Sequence, residues 1–443
     1  MLRLIFFIWT AFSWVFPLTF FNASISEASV PVTVNVTVDG QPADAMIRVL
    51  RENKLFQVEY TDVHTPGLAA FELPPGQYTL QVEHGARFTA LPQRRDVRVE
   101  AGAPVELAVD IQRLIVPSAQ GYYSADLHTH TIASAESTFR IFGIPNHGST
   151  PVDQLVAVQL AADLDVMFIS DHNSVSGHEL FAQTAQARGA PYLLSEEITT
   201  VLWGHFNAYS LEPGKLVEFD FIKLPGRFFA EARANGAQIV QINHPLSTGF
   251  GYFFIQNQPQ FDPSFDAVEV FNDHFEEDDA QTILRLFQFW NQGKRYVATA
   301  VSDDHDWKIM NTEYGTPRTY VHVGGTLSAQ SFLDALQAGH AFVTYGPLIF
   351  VNAAGKIPGD ALEATKGQTI QLDVLVQSVN ALEGVQAELI RNGQKVQTVA
   401  VSGTDQAIAF AETADKDGWY VVRLLDGARR YLAMTNPIWV DVK

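Results

Sequence analysis

The stretch Asp165-Val166-Met167-Phe168-Ile169-Ser170-Asp171-His172-Asn173 reads as a short apolar strand that ends on an acid and a histidine. An apolar run of this length, without alternation, fits a strand buried on both faces. A helix-like stretch at 152–164 precedes it. The same rhythm returns downstream. Residues 228–235 are helical in pattern and 239–242 form a strand. Residues 267–271 and 296–301 are further strands, with a helix at 281–293 between them. Strands alternating with helices predict parallel strands joined by helical crossovers. In an α/β barrel the segments that follow such strands meet on one face.

Those strand ends are where the histidines lie. Nine of the thirteen fall between His128 and His305. The clusters are Asp126-Leu127-His128-Thr129-His130, Ser170-Asp171-His172-Asn173, Glu196-Glu197-Ile198-Thr199, Gly204-His205-Phe206-Asn207, Asn243-His244-Pro245 and Ser302-Asp303-Asp304-His305. Imidazole with carboxylate is the ligand mix of catalytic zinc, iron or manganese. On a strand, residues i and i+2 point the same way, so His128 and His130 can serve one ion, and Asp303 with His305 repeats the spacing. Glu197 offers two oxygens and can bridge two ions. Only one of Glu196 and Glu197 can face inward. The chain has no cysteine, so thiolate ligands and nucleophiles are excluded.

Outside the alternating region the period is two. Val32, Val34, Val36 and Val38 alternate with polar residues up to Asp39-Gly40, and Tyr78, Leu80 and Val82 follow the turn Pro74-Pro75-Gly76. This predicts antiparallel strands and a small β-sandwich at 30–115. His64 and His84 read there as surface or turn residues. Alternation returns after residue 348 at Ile370, Leu372, Val374 and Val376, with Asn392-Gly393 as a hairpin turn, predicting a second sandwich at 348–443. Residues 1–29 combine Arg3, an apolar run and small residues, as in a cleaved signal peptide; an uncleaved anchor is the alternative. No other stretch is apolar enough to span a membrane. Export to the periplasm or outside the cell is therefore expected. The net charge of −20 and the lack of basic blocks argue against a nucleic-acid surface.

The motifs DLHTH, ISDHNSVSG, EEIT, GHFN, INHP and SDDH, in this order over about 230 residues, resemble the PHP (polymerase and histidinol phosphatase) superfamily. The flanking ALQAGHAFVTYGPLIFVNAAGKIPGD and MTNPIWV look like the CehA/McbA-type metallohydrolases, the branch named for carbaryl hydrolase. The stretch AAFELPPGQYTLQVEHG resembles transthyretin-like, carboxypeptidase-regulatory modules. The resemblance implies a multidomain α/β plus all-β chain. A distorted (β/α)7 barrel at 116–347 would stand between the two β-sandwich modules.

It also implies two to three divalent ions, Zn, Mn or Fe. His128, His130, Glu197 and Asp303 would hold the first. Glu197 would bridge to a second, held by His205 and His244. His172 and His305 would hold a third, with Glu136 as a further ligand. The surrounding ASAES departs from the common pattern, so a two-metal site stays open. Glu197 rather than Glu196 is selected because the family pattern places an apolar residue and Thr after the ligand. Glu197, Asp303 and His305 carry the catalytic assignment.

Asp126 and Asp171 are read as acids that orient ligand imidazoles through the other ring nitrogen. Glu269, placed behind the ligands with those two acids, and Asn272 read as strand-end site residues, and Arg140, His147 and His274 as candidate substrate contacts. His178, His322 and His340 are assigned to structure.

Such a site generates hydroxide at neutral pH for attack on a carbonyl or phosphoryl centre. Few basic residues lie near the motifs, chiefly Arg140 and Lys308. Aromatics abound: Trp203, Phe206, Tyr252, Phe253, Phe254, Phe271 and Trp307. This favours a small-molecule ester, carbamate or amide with an apolar part. A phosphoesterase on the same metals is the alternative. A non-catalytic surface- or carbohydrate-binding protein is the alternative of another class.

Overall fold

The computed structural model describes residues 29–136, 148–308 and 313–443. The expected signal peptide falls outside them.

The N-terminal module packs two sheets face to face. Val30–Val38 pairs with Leu68–Leu73 and Val105–Ile111, while Met46–Arg51 pairs with Lys54–Tyr60 and Gly76–Glu83, which also pairs with Gln93–Val99. Val32, Val34, Val36 and Val38 point inward against Ile47, Val49, Leu80 and Val82 of the facing sheet. Two details differ from a set of antiparallel hairpins. Val30–Val38 and Val105–Ile111 run parallel; so far apart in sequence, they are under no hairpin constraint. Pro74-Pro75-Gly76 does not close a hairpin but carries the chain from one sheet to the other, and Tyr78 donates its hydroxyl to the Pro74 carbonyl at 2.9 Å across that corner.

The central sheet has six strands: β2 (Met167–His172), β3 (Tyr192–Thr199), β4 (His205–Tyr209), β5 (Ile239–Ile242), β6 (Ala267–Asn272) and β7 (Val297–Val301). Strand β1 (Tyr122–Ala125) and the residues after it touch both ends of this sheet, through parallel bridges from Ala125 to Val166 and from Thr129 to Asp304. Helices α1 (Val152–Ala161), α2 (His178–Ala187), α3 (Pro225–Ala234) and α4 (Glu277–Asn291) form the connections.

The expected all-parallel order fails at one place, since β4 is antiparallel to both β3 and β5. The β3–β4 link is only residues 200–204, which is too short for a crossover. The described residues therefore depart from a regular βα repeat at β4.

The C-terminal strands do not start a separate sheet at residue 348. Arg318–His322 and Ala341–Thr344 pair with each other, and Arg318–His322 also pairs with β1. Ala341–Thr344 pairs with Tyr431–Thr435. Trp419, Met434 and Trp439 share one apolar core with Phe271, Phe287 and Trp290. The hairpin of Thr369–Arg391 and Gln394–Thr413 turns at Asn392-Gly393, both at positive φ as that tight turn requires. No helix among the described residues is long and apolar enough to cross a membrane.

Candidate metal centre

The segment after β1 is gripped from both sides. Ser170 N donates to Thr129 O, His130 N to Asp304 O and Asp303 N to His128 O, each at 3.0 Å. Leu127 points into the core. The i, i+2 alternation then sets His128 and His130 on the opposite side, both fully buried.

Glu197 on β3 is the hub. Its Oε1 lies 3.3 Å from His128 Nε2, 3.0 Å from His205 Nδ1 and 3.3 Å from His244 Nε2. Its Oε2 contacts His172 Nδ1 and lies 3.7 Å from His130 Nε2. Asp303 Oδ1 stands 3.2 Å from His128 Nε2 and 3.0 Å from His130 Nε2. His172 Nε2 and His305 Nε2 are 3.3 Å apart.

Eight expected ligands thus converge: His128, His130, His172, Glu197, His205, His244, Asp303 and His305. Three sets bring their ligand atoms within 4.8 Å of one another: His128, His130 and Asp303; His172, Glu197 and His205; and His130, His172 and His305. Glu136 ends the 3-10 turn Ile132–Glu136, but its side chain lies outside the described residues, as do Arg140 and His147.

Divalent cations fit this donor set. Among the described residues no Lys or Arg lies within 4.0 Å of the carboxylates of Glu197, Glu269 or Asp303; their ion-pair partners are all imidazoles. Among the described residues His205 Nε2 and His244 Nδ1 are buried without a hydrogen-bond partner, a costly arrangement unless a cation meets such atoms.

Burial opposes the charge on Glu197, yet His172, His128 and His205 outweigh it and hold the carboxyl well below its usual range. Asp303 is lowered in the same way, by His128 and His305 against burial. Burial pushes His205 down to about 4, only partly offset by Glu197. The carboxylates are ionised and His205 is neutral at pH 7, which are their ligand forms. His128 is held well above its usual range because Asp303, Glu197 and Glu269 overcome the effect of burial. His244 and Asp303 adopt φ of 27° and 55°, the left-handed region that non-glycine residues rarely occupy.

The orienting contacts differ from the expectation. Asp126 touches no imidazole. It accepts from Ser302 N at 2.9 Å, Ser302 Oγ at 2.6 Å and Gly315 N at 2.6 Å, and so pins the backbone just before Asp303. Asp171 reaches a ligand only through Ser134, whose hydroxyl donates to Asp171 at 2.7 Å and sits 3.2 Å from His130 Nδ1. Glu269, expected behind the ligands together with those two acids, is the one that meets an imidazole, with Oε1 2.8 Å from His128 Nδ1.

Sequence reasoning assigned no contact to the groups behind this pair, although Asn272 was already read as a site residue. Gln241 donates to Glu269 Oε1 at 2.7 Å, and Asn243 donates to Glu197 Oε1 at 3.0 Å. Thr199 Oγ1 lies 2.6 Å from His172 Nδ1. Asn272 donates to Glu269 Oε2 at 3.1 Å. Inward alternation on β5 was the one available signal for Gln241. Glu196 points away from the histidines. It is fully buried, accepts from Val217 N at 2.8 Å, and burial raises its carboxyl to about 8.

Most of the expected aromatic lining is core. Phe206, Tyr252, Phe253 and Phe271 are buried in one apolar cluster, and Trp307 stacks on Tyr60. The ring at the centre is Phe250, half exposed, with centroid distances of 5.1 Å to His205 and 6.4 Å to His244. Beside His244 opens a cavity of about 160 Å³, lined among the described residues by Asn272, Asp273, His274, Glu276, Asp278 and Asp279 with others, and by no Lys or Arg. Lys308 points elsewhere, its amine 2.7 Å from Glu59.

His178 Nε2 bonds the Ser195 carbonyl at 3.0 Å, His340 meets Asp360 at 3.1 Å and His322 packs on Tyr122. His84 is not a surface residue. It is buried against Asp163 at 3.0 Å, where the N-terminal module meets the segment after α1.

No protein-family model matches the chain, and no curated protein matches it. Among solved structures it is similar to a two-domain protein from Bacteroides vulgatus containing a predicted PHP-like metal-dependent phosphoesterase. The identity is 16% over 72% of this chain and 95% of that one, with a TM-score of 0.43. It is also similar to an amidohydrolase from Chromobacterium violaceum, at 14% identity over 41% of this chain and 87% of that one, with a TM-score of 0.30. At these scores the similarity lends the site no weight, and the reading of the site rests on this chain's own residues.

Proposed function

We propose that this chain is an exported, metal-dependent hydrolase of the PHP kind, built on a distorted (β/α)7 barrel at 116–347 between β-modules at 30–115 and 348–443. In this reading it acts on ester, carbamate or amide bonds. The observation that carries the reading is the convergence of five imidazoles on the one buried carboxylate of Glu197, with Asp303 beside them. His128, His130, Glu197 and Asp303 would hold one divalent ion, Glu197, His205 and His244 a second, and His172 with His305 a further one. Bound there, Zn, Mn or Fe supplies Lewis acidity toward the scissile group and acidifies water.

The chain's own groups fix the ligands. Glu269 takes His128 Nδ1 and leaves Nε2 toward Glu197 and Asp303, and Gln241 holds Glu269 in turn. His305 Nδ1 sits 2.8 Å from the Asp303 carbonyl, which turns its Nε2 toward His172. Such outer contacts set tautomer and ring orientation.

A carbonyl substrate is favoured over a phosphate ester by charge. Among the described residues the cavity beside His244 carries Asp273, Glu276, Asp278 and Asp279 and no Lys or Arg, and phosphate recognition commonly relies on such cations. The deciding assay compares kcat/KM for a carbonyl ester and a phosphate ester that share one phenolic leaving group, on protein reconstituted with Zn, Mn or Fe. The carbonyl ester is expected to be faster. A tenfold preference for the phosphate, about 1.4 kcal/mol at the transition state, promotes the phosphoesterase reading instead. Export is checked by N-terminal sequencing of protein from the native host, expected to begin near residues 27–30. Met1 retained in a membrane fraction favours the anchor.

A further inference from the structure

We propose that His274, oriented by Asp273, carries the proton of the reaction: its Nε2 takes a proton from the attacking water and hands it to the leaving atom. This rests on the hydrolase reading above. In ester hydrolysis an O–H bond of water breaks and its oxygen bonds the acyl carbon. The bond from that carbon to the leaving oxygen breaks with its electron pair on that oxygen, and the proton joins the pair. Water and ester become acid and alcohol, and a positioned base that turns acid moves the proton between them.

The three carboxylates at the centre are already engaged. Glu197 faces His128, His205 and His244 through one oxygen and His172 through the other. Asp303 Oδ1 stands between His128 and His130. Glu269 takes His128 Nδ1, the Gln241 and Asn272 amides and the His244 backbone N–H. The carrier belongs just outside them, where substrate and solvent both reach it. The cavity beside His244 offers that place. At about 160 Å³ it holds about five waters, so a group that enters beside His244 also meets the rest of the lining.

Within that lining His274 alone is both free and suited to the task. Asp279 is buried and accepts the Glu276 N–H at 2.9 Å, while Glu276 caps α4 in return. Asp278 accepts the Asp279 N–H at 3.0 Å. Asp273 Oδ1 contacts His274 Nδ1. That contact places the ring hydrogen on Nδ1 and leaves a lone pair on Nε2. Nε2 meets no protein group among the described residues, and the side chain is 73% exposed. The pair is also fixed in place. Asp273 adopts φ 47°, where a non-glycine residue is strained, and its N–H donates to Val301 O at 3.2 Å, two residues before Asp303. The dyad thus hangs from the ends of β6 and β7, the strands that lead to Glu269 and Asp303. An imidazole with a carboxylate on one nitrogen and the other nitrogen free is an arrangement that passes protons in hydrolysis.

The test reads the proton and the ring separately. The substrates are a phenyl and a 4-nitrophenyl ester of one acid, on protein reconstituted with Zn, Mn or Fe. For His274→Gln, kcat/KM on the phenyl ester is expected to fall about a hundredfold. The 4-nitrophenyl ester, whose leaving oxygen departs without a proton, is expected to lose about tenfold less, with metal content unchanged. Equal losses on the two esters, or none, in a protein whose parent cleaves both, overturn the carrier and leave the hydrolase standing. Nitrogen NMR of the metal-free parent is expected to find the neutral His274 ring with its hydrogen on Nδ1, and Asp273→Gly, which suits that φ, to erase the preference. A ring with its hydrogen on Nε2, or a preference that survives in the variant, also overturns the proposal. A metal-loaded parent that cleaves neither ester sinks the hydrolase reading and the carrier with it.

Discussion

Two buried clusters of histidine and carboxylate among the described residues are built differently. At the joint between the N-terminal module and the segment after α1, Asp163 takes Arg113 at 2.7 Å, His84 at 3.0 Å and the Thr89 hydroxyl at 2.6 Å, while the other ring nitrogen of His84 meets the Asp44 carbonyl at 2.8 Å. An arginine is present and both imidazole nitrogens are engaged. Around Glu197 no arginine or lysine among the described residues takes part, and His205 Nε2 and His244 Nδ1 are buried without hydrogen-bond partners. The first cluster closes its own electrostatics. The second has surplus lone pairs and carboxylate charge aimed at a common centre, as expected where a cation belongs. Residue types alone do not separate the two; the presence of arginine and the count of satisfied nitrogens do.

The sharpest way to break this contrast is Glu197→Gln. The substitution removes the charge that five imidazoles share, so bound metal and activity should be lost together, with kcat/KM down a thousandfold or more. Metal analysis alongside kinetics checks it. Full metal content with full activity would remove Glu197 from the centre.

A smaller effect is expected one contact further out. Glu269→Gln keeps the shape but weakens the hold on His128 Nδ1, and outer partners of metal ligands are typically worth 10–100-fold in affinity or activity. Metal affinity measured by competition with a chelator should fall within that range. A loss as large as that of Glu197→Gln would make Glu269 itself a ligand.

At the joint the effect should fall on stability rather than catalysis. Asp163 sits at φ 57°, a conformation Asn tolerates, so Asp163→Asn tests charge with little change of backbone. Burial works against the Asp163 carboxylate, but His84 and Arg113 prevail and lower it far below its ordinary value. A depressed acid stabilises the fold above its unfolded pKa, and the contribution is lost as pH falls toward the folded value. Breaking a buried pair by removing one partner costs roughly 3–5 kcal/mol. Denaturant unfolding at pH 7 should show a loss of that order, shrinking in acid, with kcat per folded molecule nearly unchanged.

The eight converging residues were legible in the sequence because each motif is local: a strand end, an i, i+2 pair, an acid before an apolar residue. What escaped depends on contacts between strands. Glu269 was placed behind the ligands but without its partner, because it and His128 are 141 residues apart and no spacing rule joins them. Asp126 and Asp171, adjacent to ligands in sequence, looked like the better candidates and instead hold backbone and hydroxyl groups. The aromatic residues misled for a similar reason. Strands buried on both faces draw their rings into the core, and Phe250, which stands at the mouth, follows Gly249 in a loop where no periodicity marks it. The reversal of β4 was readable from the five-residue link before it, but the run of alternating elements around it argued the other way.

The smallest effect on activity should come from Glu196, next in sequence to the hub. Alternation turns it away from the histidines, but into the interior rather than to solvent. Burial raises its carboxyl to about 8 from an ordinary 4.5, with only the Val217 amide and distant Lys223 working the other way. It is therefore protonated in the folded protein at neutral pH, and Gln is close to its native form in shape and charge. The linkage has a definite sign. Below pH 4.5 folded and unfolded chains are both protonated and the group costs nothing. Between 4.5 and about 8 the unfolded chain ionises and the folded one does not, so stability falls as pH rises, by up to a few kcal/mol. Glu196→Gln removes this penalty. The variant should match the parent near pH 4.5 and become progressively more stable toward pH 8, with kcat/KM within about twofold throughout. Thermal midpoints across that pH range check it. A variant that loses metal, or one whose advantage is the same at every pH, would show that Glu196 faces the centre or is ionised where it lies.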